Sequence, residues 1–398
     1  MNKNLFAERV KCMDNGELAD LMRLVGRDDI ISFAGGIPSA DIFPLKKLKE
    51  LTANLFNSHG ADIFQYCSTE GSNQLKKSIV DFLEMRNLNI NARELLITTG
   101  SQQALDLISK IFINPGDKII VENPGYVGGI GAIKSYQAEL IGIDMDQDGM
   151  KVDLLARKLK ELYQNGDKVK FVYLVPDYSN PSGARLSLER RKKILQFAEK
   201  YDFYIIEDTP YSELNYFEER IPYIKEFDEN DRVILLGSFS KFFIPGMRVG
   251  WIVSTEDMIG VFSRAKQNTD LASNTYGQEL IAAAAGKGLF EEQIERVKPF
   301  YRERLEHMQE SLKKYFPEST SWIKSRGGFF FWVQLPEHIK SSDLLKTAID
   351  NNVAFVTGNS FFADAKEGDN YMRLSFSDTK PEKIDEGIKK LAKLIKDY

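Results

Sequence analysis

Apolar positions along the middle of the chain alternate between two periods, and the elements follow from that alternation. Leu75, Ile79, Phe82 and Leu83 recur at helical spacing, and residues 102–112 form a second helix closed by the turn Asn114-Pro115-Gly116-Asp117. Lys118-Ile119-Ile120-Val121 then reads as a short buried strand ended by Asn123-Pro124-Gly125. Phe171-Val172-Tyr173-Leu174-Val175, Phe203-Tyr204-Ile205-Ile206 and Val233-Ile234-Leu235-Leu236 are similar apolar runs. Between the first two of these, Ser187 caps a helix with Leu188, Ile194, Leu195, Ala198 and Tyr201 on its apolar face. Strand, helix, strand at this spacing is a βαβ unit. It predicts an α/β domain with a largely parallel sheet and helices on both faces.

The last hundred residues read as α+β. A charged helix over about 291–315 leads to Gly327-Gly328-Phe329-Phe330-Phe331-Trp332-Val333. A helix near 341–351 follows, then the runs Ala354-Phe355-Val356 and Tyr371-Met372-Arg373-Leu374-Ser375-Phe376, and a closing helix from Pro381. The expected division is therefore a segment 1–50 packing with the small domain, a large domain 51–290 and a small C-terminal domain 291–398. No internal repeat, low-complexity tract or Gly/Ser linker separates them.

Composition narrows the chemistry. With 53 basic and 58 acidic residues the net charge is -5, which gives no reason to expect nucleic acid as a partner. Cys12 and Cys67 form no CxxC pair, and the three histidines (His59, His307, His338) lack metal-ligand spacing, so neither a disulfide framework nor a zinc site is expected. The start of the chain has no apolar leader, and no run of 18 apolar residues exists to span a membrane, so a soluble, cytoplasmic protein is expected. Catalysis, if present, rests on Lys, Asp, Tyr, Arg or a cofactor.

In a parallel α/β sheet, ligands bind outside the carboxyl ends of the strands. Three successive strands here end in polar groups: Pro176-Asp177-Tyr178-Ser179-Asn180-Pro181-Ser182-Gly183, then Glu207-Asp208-Thr209-Pro210-Tyr211, then Ser238-Phe239-Ser240-Lys241. Taken singly, each has an ordinary role, since Asn-Pro makes turns and an Asp after a strand often caps a helix. Asn180, Asp208, Tyr211 and Lys241 converging on one rim point to one chemistry, an aldehyde cofactor held as a Schiff base. Lysine forms imines with carbonyls once its surroundings deprotonate it. Pyridoxal phosphate also needs a carboxylate at its ring nitrogen, for which Asp208 is suited, and donors to its ring oxygen, for which Tyr211 and Asn180 are suited. Its phosphate needs a helix N-terminus and cations. Thr98-Thr99-Gly100-Ser101-Gln102-Gln103-Ala104 opens a helix after Leu95-Leu96-Ile97, and Ser238, Ser240 and Arg248 complete the cradle.

The segment Ser238-Phe239-Ser240-Lys241-Phe242-Phe243-Ile244-Pro245-Gly246-Met247-Arg248-Val249-Gly250 resembles the cofactor-lysine signature of class I/II aminotransferases, the fold-type I pyridoxal-phosphate enzymes. Ser-Asn-Pro-Ser-Gly, Asp208-Thr209-Pro210-Tyr211 and the Ser101-Gln102 turn occur in that family's order, and the likeness runs from Phe33-Ala34-Gly35-Gly36-Ile37-Pro38 to Arg373. Within the class it is most similar to the 2-aminoadipate/kynurenine aminotransferase group, which also resembles the effector domain of certain bacterial regulators.

The resemblance implies specific roles. Lys241 carries the cofactor and moves the proton at the substrate α-carbon. Asp208 pairs with the ring nitrogen, Tyr126 stacks on the ring, and Asn180 and Tyr211 bind its oxygen. Gly100, Ser101, Gln102, Ser238, Ser240 and Arg248 hold the phosphate. Arg373, with Asn180 and Gly36, binds the substrate, and Arg373 clamps its α-carboxylate. Tyr66 reaches the phosphate in a neighbouring subunit, which implies a homodimer with shared sites. The implied reaction is ping-pong transfer of an amino group from an L-amino acid to a 2-oxo acid such as 2-oxoglutarate. A β-eliminating lyase is the enzymatic alternative. A regulator-type sensor is the other, and it is disfavoured because the Gly-Gly-Ile-Pro segment begins at residue 35, leaving no room for a DNA-binding module. Ala19, with Arg23 one turn on, falls where some 2-aminoadipate enzymes carry an arginine for an acidic side chain. Phe33, Ile37, Phe43 and Tyr66 instead favour an aromatic, branched or aminoadipate range.

Overall fold

The structure, a computed structural model, describes residues 5–13, 29–217 and 219–398, so Ala19 and Arg23 lie outside the described residues. In chain order the strands are β1 (Ile31–Ser32), β2 (Leu95–Thr98), β3 (Lys118–Asn123), β4 (Glu139–Asp146), β5 (Gly149–Met150), β6 (Val169–Leu174) and β7 (Tyr204–Asp208). They continue as β8 (Val233–Ser238), β9 (Gly250–Val253), β10 (Ser321–Trp322), β11 (Phe330–Gln334), β12 (Val353–Ala354), β13 (Val356–Thr357) and β14 (Tyr371–Ser375).

Eight of these form one sheet in the order β2-β9-β8-β7-β6-β3-β4-β5. The five central strands β8, β7, β6, β3 and β4 are parallel neighbours, while β9 runs antiparallel between β2 and β8 and β5 is a short antiparallel edge. The unbroken apolar runs follow from burial on both faces. Along β6, Phe171 and Tyr173 enter one core while Val172 and Leu174 enter the other; along β7, Ile206 and Ile205 divide the same way. Helices Val152–Gln164 and Leu188–Tyr201 cover the second face.

A four-stranded antiparallel sheet, β10-β11-β14-β13, carries Arg373 opposite Trp332 on one side and Val356 on the other. Residues 31–36 are tied to this part of the chain. β1 pairs with β12, Phe33 N–H donates to Ala354 O at 2.8 Å, and Ser375 N–H donates to Phe33 O at 2.8 Å.

Several expectations are corrected. Ser187 does cap its helix, but Leu188 is 39% exposed, and the fully buried side chain in that first turn is Arg191. The strand from Lys118 runs on through Glu122 and Asn123, because those polar side chains find partners inside the protein. Ala354-Phe355-Val356 is two short strands broken at Phe355. β4 and β9 lacked a clear pattern of their own. No described helix is long and apolar enough to cross a membrane.

Candidate active site

Parallel packing of β6, β7 and β8 brings the polar segments at their carboxyl ends to one rim, with the turn after β3 beside them. A cavity of about 360 Å³ opens there, and Gly36, Gln102, Tyr126, Asn180, Lys241 and Arg373 are in its wall. A larger cleft of about 1040 Å³ lies along Asp144, Trp322 and Tyr371. None of its described lining residues holds an unpaired buried polar atom, so volume does not mark the site.

Lys241 follows the end of β8. Its amine donates to Gly36 O at 2.9 Å and lies 5.7 Å from the centre of the Tyr211 ring. Burial lowers its pKa to about 8, the guanidinium groups of Arg373 and Arg248 push the same way, and Asp208 opposes them. This is a lysine with a usable neutral fraction near physiological pH.

Asp208 ends β7. Its Oδ2 accepts from the Tyr173 hydroxyl at 3.0 Å, while Oδ1 is buried with no partner. Burial raises its pKa to about 7, against the Tyr173 hydrogen bond and the Lys241 charge. An unpaired buried carboxylate oxygen is costly, so the arrangement is complete only when a donor or cation reaches it.

Arg373 is buried at the other side of the cavity. Nη1 donates to Asn180 Oδ1 at 2.9 Å and Nη2 to Ala34 O at 2.6 Å, while the guanidinium lies 4.5 Å from the Phe330 ring centre and 5.1 Å from that of Phe361. Burial lowers its pKa to about 10, so it stays charged at neutral pH. Asn180 also hydrogen-bonds Tyr211, whose pKa burial pushes up, so that phenol is neutral. Gly36 has no positive φ; its lack of a side chain serves packing, since a Cβ there would lie 2.8 Å from Phe330 Cζ.

Tyr126 directly precedes the helix Val127–Lys134, and its hydroxyl donates to Gln102 Oε1 at 3.3 Å. Gly128 makes room for that ring, because a Cβ there would lie 2.5 Å from Tyr126 Cζ. At the start of the helix Gly100–Phe112, Gly100 has φ +73° and its Cβ would lie 2.7 Å from Arg248 Nη2. Ser238 Oγ donates to Ser240 Oγ at 2.9 Å and accepts from Ser240 N–H at 3.1 Å. β9 locks these pieces together, for a Cβ on Gly250 would lie 2.8 Å from Ser101 N. A helix N-terminus, two hydroxyls and an exposed arginine thus share one corner, which suits an anion. Orphaned carboxylate, depressed lysine and anion corner together fit pyridoxal phosphate.

Tyr66 is the exception. It is 78% exposed and is not in the wall of this chain's cavity. Phe33 is fully buried and belongs to the core, whereas Ile37 does line the cavity. Sequence reasoning missed Tyr173, Gly128 and Phe330. It also missed Glu122, a buried carboxyl raised to about 8 by burial that accepts from Val175 N–H at 3.1 Å and Ser179 Oγ at 3.0 Å. Each sits in an apolar or strand-like stretch without a signal of its own, and it is the pairing register of β6 with β7 that puts Tyr173 on the same face as Asp208.

Fold and site together define a fold-type I pyridoxal-phosphate enzyme. The family model described as aminotransferase class I and II matches residues 28–391, so the chain belongs to that family and is a pyridoxal-phosphate-dependent aminotransferase. It is 41% identical to aromatic-amino-acid aminotransferase 1 of Thermococcus litoralis, over 98% of this chain and 94% of the relative. Among solved structures, the multiple substrate aminotransferase of Thermococcus profundus is 41% identical with a TM-score of 0.95, covering 100% of this chain and 99% of the other. The alpha-aminoadipate aminotransferase of Thermus thermophilus, complexed with N-(5'-phosphopyridoxyl)-L-leucine, is 32% identical with a TM-score of 0.91, covering 99% and 98%.

Proposed function

We propose that the protein transfers the amino group of an aromatic, branched or 2-aminoadipate-type L-amino acid to a 2-oxo acid such as 2-oxoglutarate, as a cytoplasmic homodimer. The observation that carries the reading is the pairing of Lys241, at about 8, with the buried unpaired Oδ1 of Asp208. When bound, pyridoxal phosphate supplies an aldehyde and an electron-accepting pyridinium ring. Asp208 would hold the ring N–H, Tyr211 and Asn180 the ring oxygen, and Tyr126 the ring face. Gly100, Ser101, Gln102, Ser238, Ser240 and Arg248 would hold the phosphate.

Within that frame each residue has a task. Arg373 presents a planar guanidinium, fixed over Phe330, to the substrate carboxylate, which sets the direction of the α-carbon. The Lys241 amine then removes the α-proton and returns it as a general acid–base group, which its pKa near 8 suits. Ile37, Val127 and Ala132 give the cavity an apolar side, with Gly131 leaving room for a bulky side chain. This favours aromatic and branched donors. Tyr66 acts in the partner subunit's site, which accounts for a tyrosine exposed on a single chain.

A glutamate-release assay with 2-oxoglutarate and a panel of donors tests the reading. Turnover with phenylalanine, tyrosine, leucine or 2-aminoadipate supports it. Turnover confined to small or basic donors would overturn the substrate range, and ammonia release in place of glutamate would overturn the reaction.

A further inference from the structure

A buried cation behind the helix Gly100–Phe112 has no task in the reading above. Lys266, on the helix Glu256–Gln267, is fully buried. Its amine donates to Asp270 Oδ1 and Oδ2 at 2.7 and 2.9 Å, to Gln103 Oε1 at 2.9 Å and to Ser273 Oγ at 3.0 Å. The three ammonium protons are thus shared among a carboxylate, an amide and a hydroxyl.

These partners lead directly to the anion corner. Gln103 Nε2 donates to Asp270 Oδ2 at 2.6 Å, and Gln103 Oε1 accepts the Thr99 N–H at 2.8 Å. The Thr99 hydroxyl donates to Asp270 Oδ2 at 3.1 Å and lies 3.1 Å from Ser273 Oγ. Thr99 is therefore held at its backbone and its side chain, one residue before Gly100. The Gly100 carbonyl accepts from Thr98 Oγ1 at 3.0 Å. Across a planar peptide unit, the Ser101 N–H then points the opposite way from Thr98.

An ion pair that only finished its own helix would stop at Asp270. This one reaches a second helix and takes up the Thr99 N–H. We infer that Lys266 is a positioning residue for the phosphate cradle: through Gln103, Asp270 and Thr99 it fixes the turn whose N–H groups receive the cofactor's phosphate. The inference rests on the reading of Gly100 and Ser101 as phosphate-binding. It gives Lys266 no contact with cofactor or substrate. The cluster also reaches the residue after Tyr66, since Ser273 O accepts from Cys67 Sγ at 3.5 Å.

The test compares pyridoxal 5'-phosphate with pyridoxal, which lacks the phosphate, by absorbance titration of the full-length protein stripped of cofactor. Wild type, Lys266→Met and Gln103→Leu are titrated side by side. Gln103 is only half-buried, so its variant keeps the test available if Lys266→Met does not fold. The expected result is pyridoxal phosphate binding weakened about 10- to 100-fold in both variants, as for lost hydrogen bonds to charged groups, with pyridoxal unchanged within about twofold. Equal weakening of the two ligands would mean general loosening and overturn the inference, as would an unchanged preference for the phosphorylated ligand. A wild type that binds both equally would instead overturn the phosphate-cradle reading itself.

Discussion

At the residue scale, Lys241 and Asp208 dominate the candidate site, and their titrations have opposite consequences. Lys241 loses its proton near pH 8 in the folded protein rather than near 10.5. Capture of pyridoxal phosphate by cofactor-free protein needs the neutral amine, so its rate should rise about tenfold per pH unit up to about 8 and then level off. Stopped-flow absorbance reads this directly, and Lys241→Ala should capture none. Asp208 is raised from 3.8 to about 7. Between those values the folded cofactor-free protein binds more protons than the unfolded chain, so this group makes stability fall as pH rises through the window. The pH dependence of melting temperature should therefore be shallower between pH 4 and 7 in Asp208→Asn than in wild type. With cofactor bound, the same variant should lose roughly 10²-fold or more in kcat, as for removal of a preorganised charge partner. Lys241 and Asp208 were legible in the sequence because strand ends are where chemistry gathers. Tyr173 was not, because a tyrosine inside Phe171-Val172-Tyr173-Leu174-Val175 reads as core until the register shows its hydroxyl on Asp208.

At the element scale, glycines decide how closely the pieces of the site approach. A Cβ on Gly237 would lie 2.2 Å from Trp251 Cε2, so β8 and β9 can pair only if position 237 has no side chain. That antiparallel insertion was not legible, because Gly250-Trp251-Ile252-Val253 is four residues long and abuts the lysine segment. It matters all the same, since Gly250 packs on the backbone of Gly100 and Ser101. Gly100→Ala should distort the anion corner twice over, through a positive φ and a clash with Arg248. The expected outcome is an increase of roughly tenfold or more in the dissociation constant for pyridoxal phosphate, on the order of the 1–3 kcal/mol cost of backbone strain. Gly60→Ala is the control. It also has a positive φ but meets nothing within 4 Å, so it should lower the melting temperature slightly and leave cofactor affinity unchanged.

At the scale of the whole molecule, the proposed dimer would cover a patch of exposed aromatics. Phe56, Phe64 and Tyr66 are 47%, 69% and 78% exposed, with Phe56 against Phe64 and Tyr276. A monomer has little reason to leave such a patch in water. If Tyr66 completes the partner's site, a mixture of Lys241→Ala and Tyr66→Ala subunits, unfolded and refolded together, should form hybrid dimers with one site that has both residues. Activity should return to a substantial fraction of wild type although neither variant alone is active at that level. Failure of complementation in verified hybrids would mean that each chain completes its own site. An α/β part followed by an α+β part was legible in the order of helical and strand-like runs. An N-terminal segment lying against the small domain was expected, but the pairing of Ile31–Ser32 with Val353–Ala354 was not legible, because it is a two-residue strand whose partner lies more than three hundred residues away.

The most direct test of the account is to load the purified protein with pyridoxal phosphate, record its visible spectrum, and add single amino acids with no 2-oxo acid present. The account predicts that aromatic, branched or 2-aminoadipate donors abolish the visible band of the lysine-bound cofactor and release one 2-oxo acid per site. Adding 2-oxoglutarate should then restore the band. A band that no amino acid alters, or one whose loss brings ammonia instead of a stoichiometric 2-oxo acid, would contradict it.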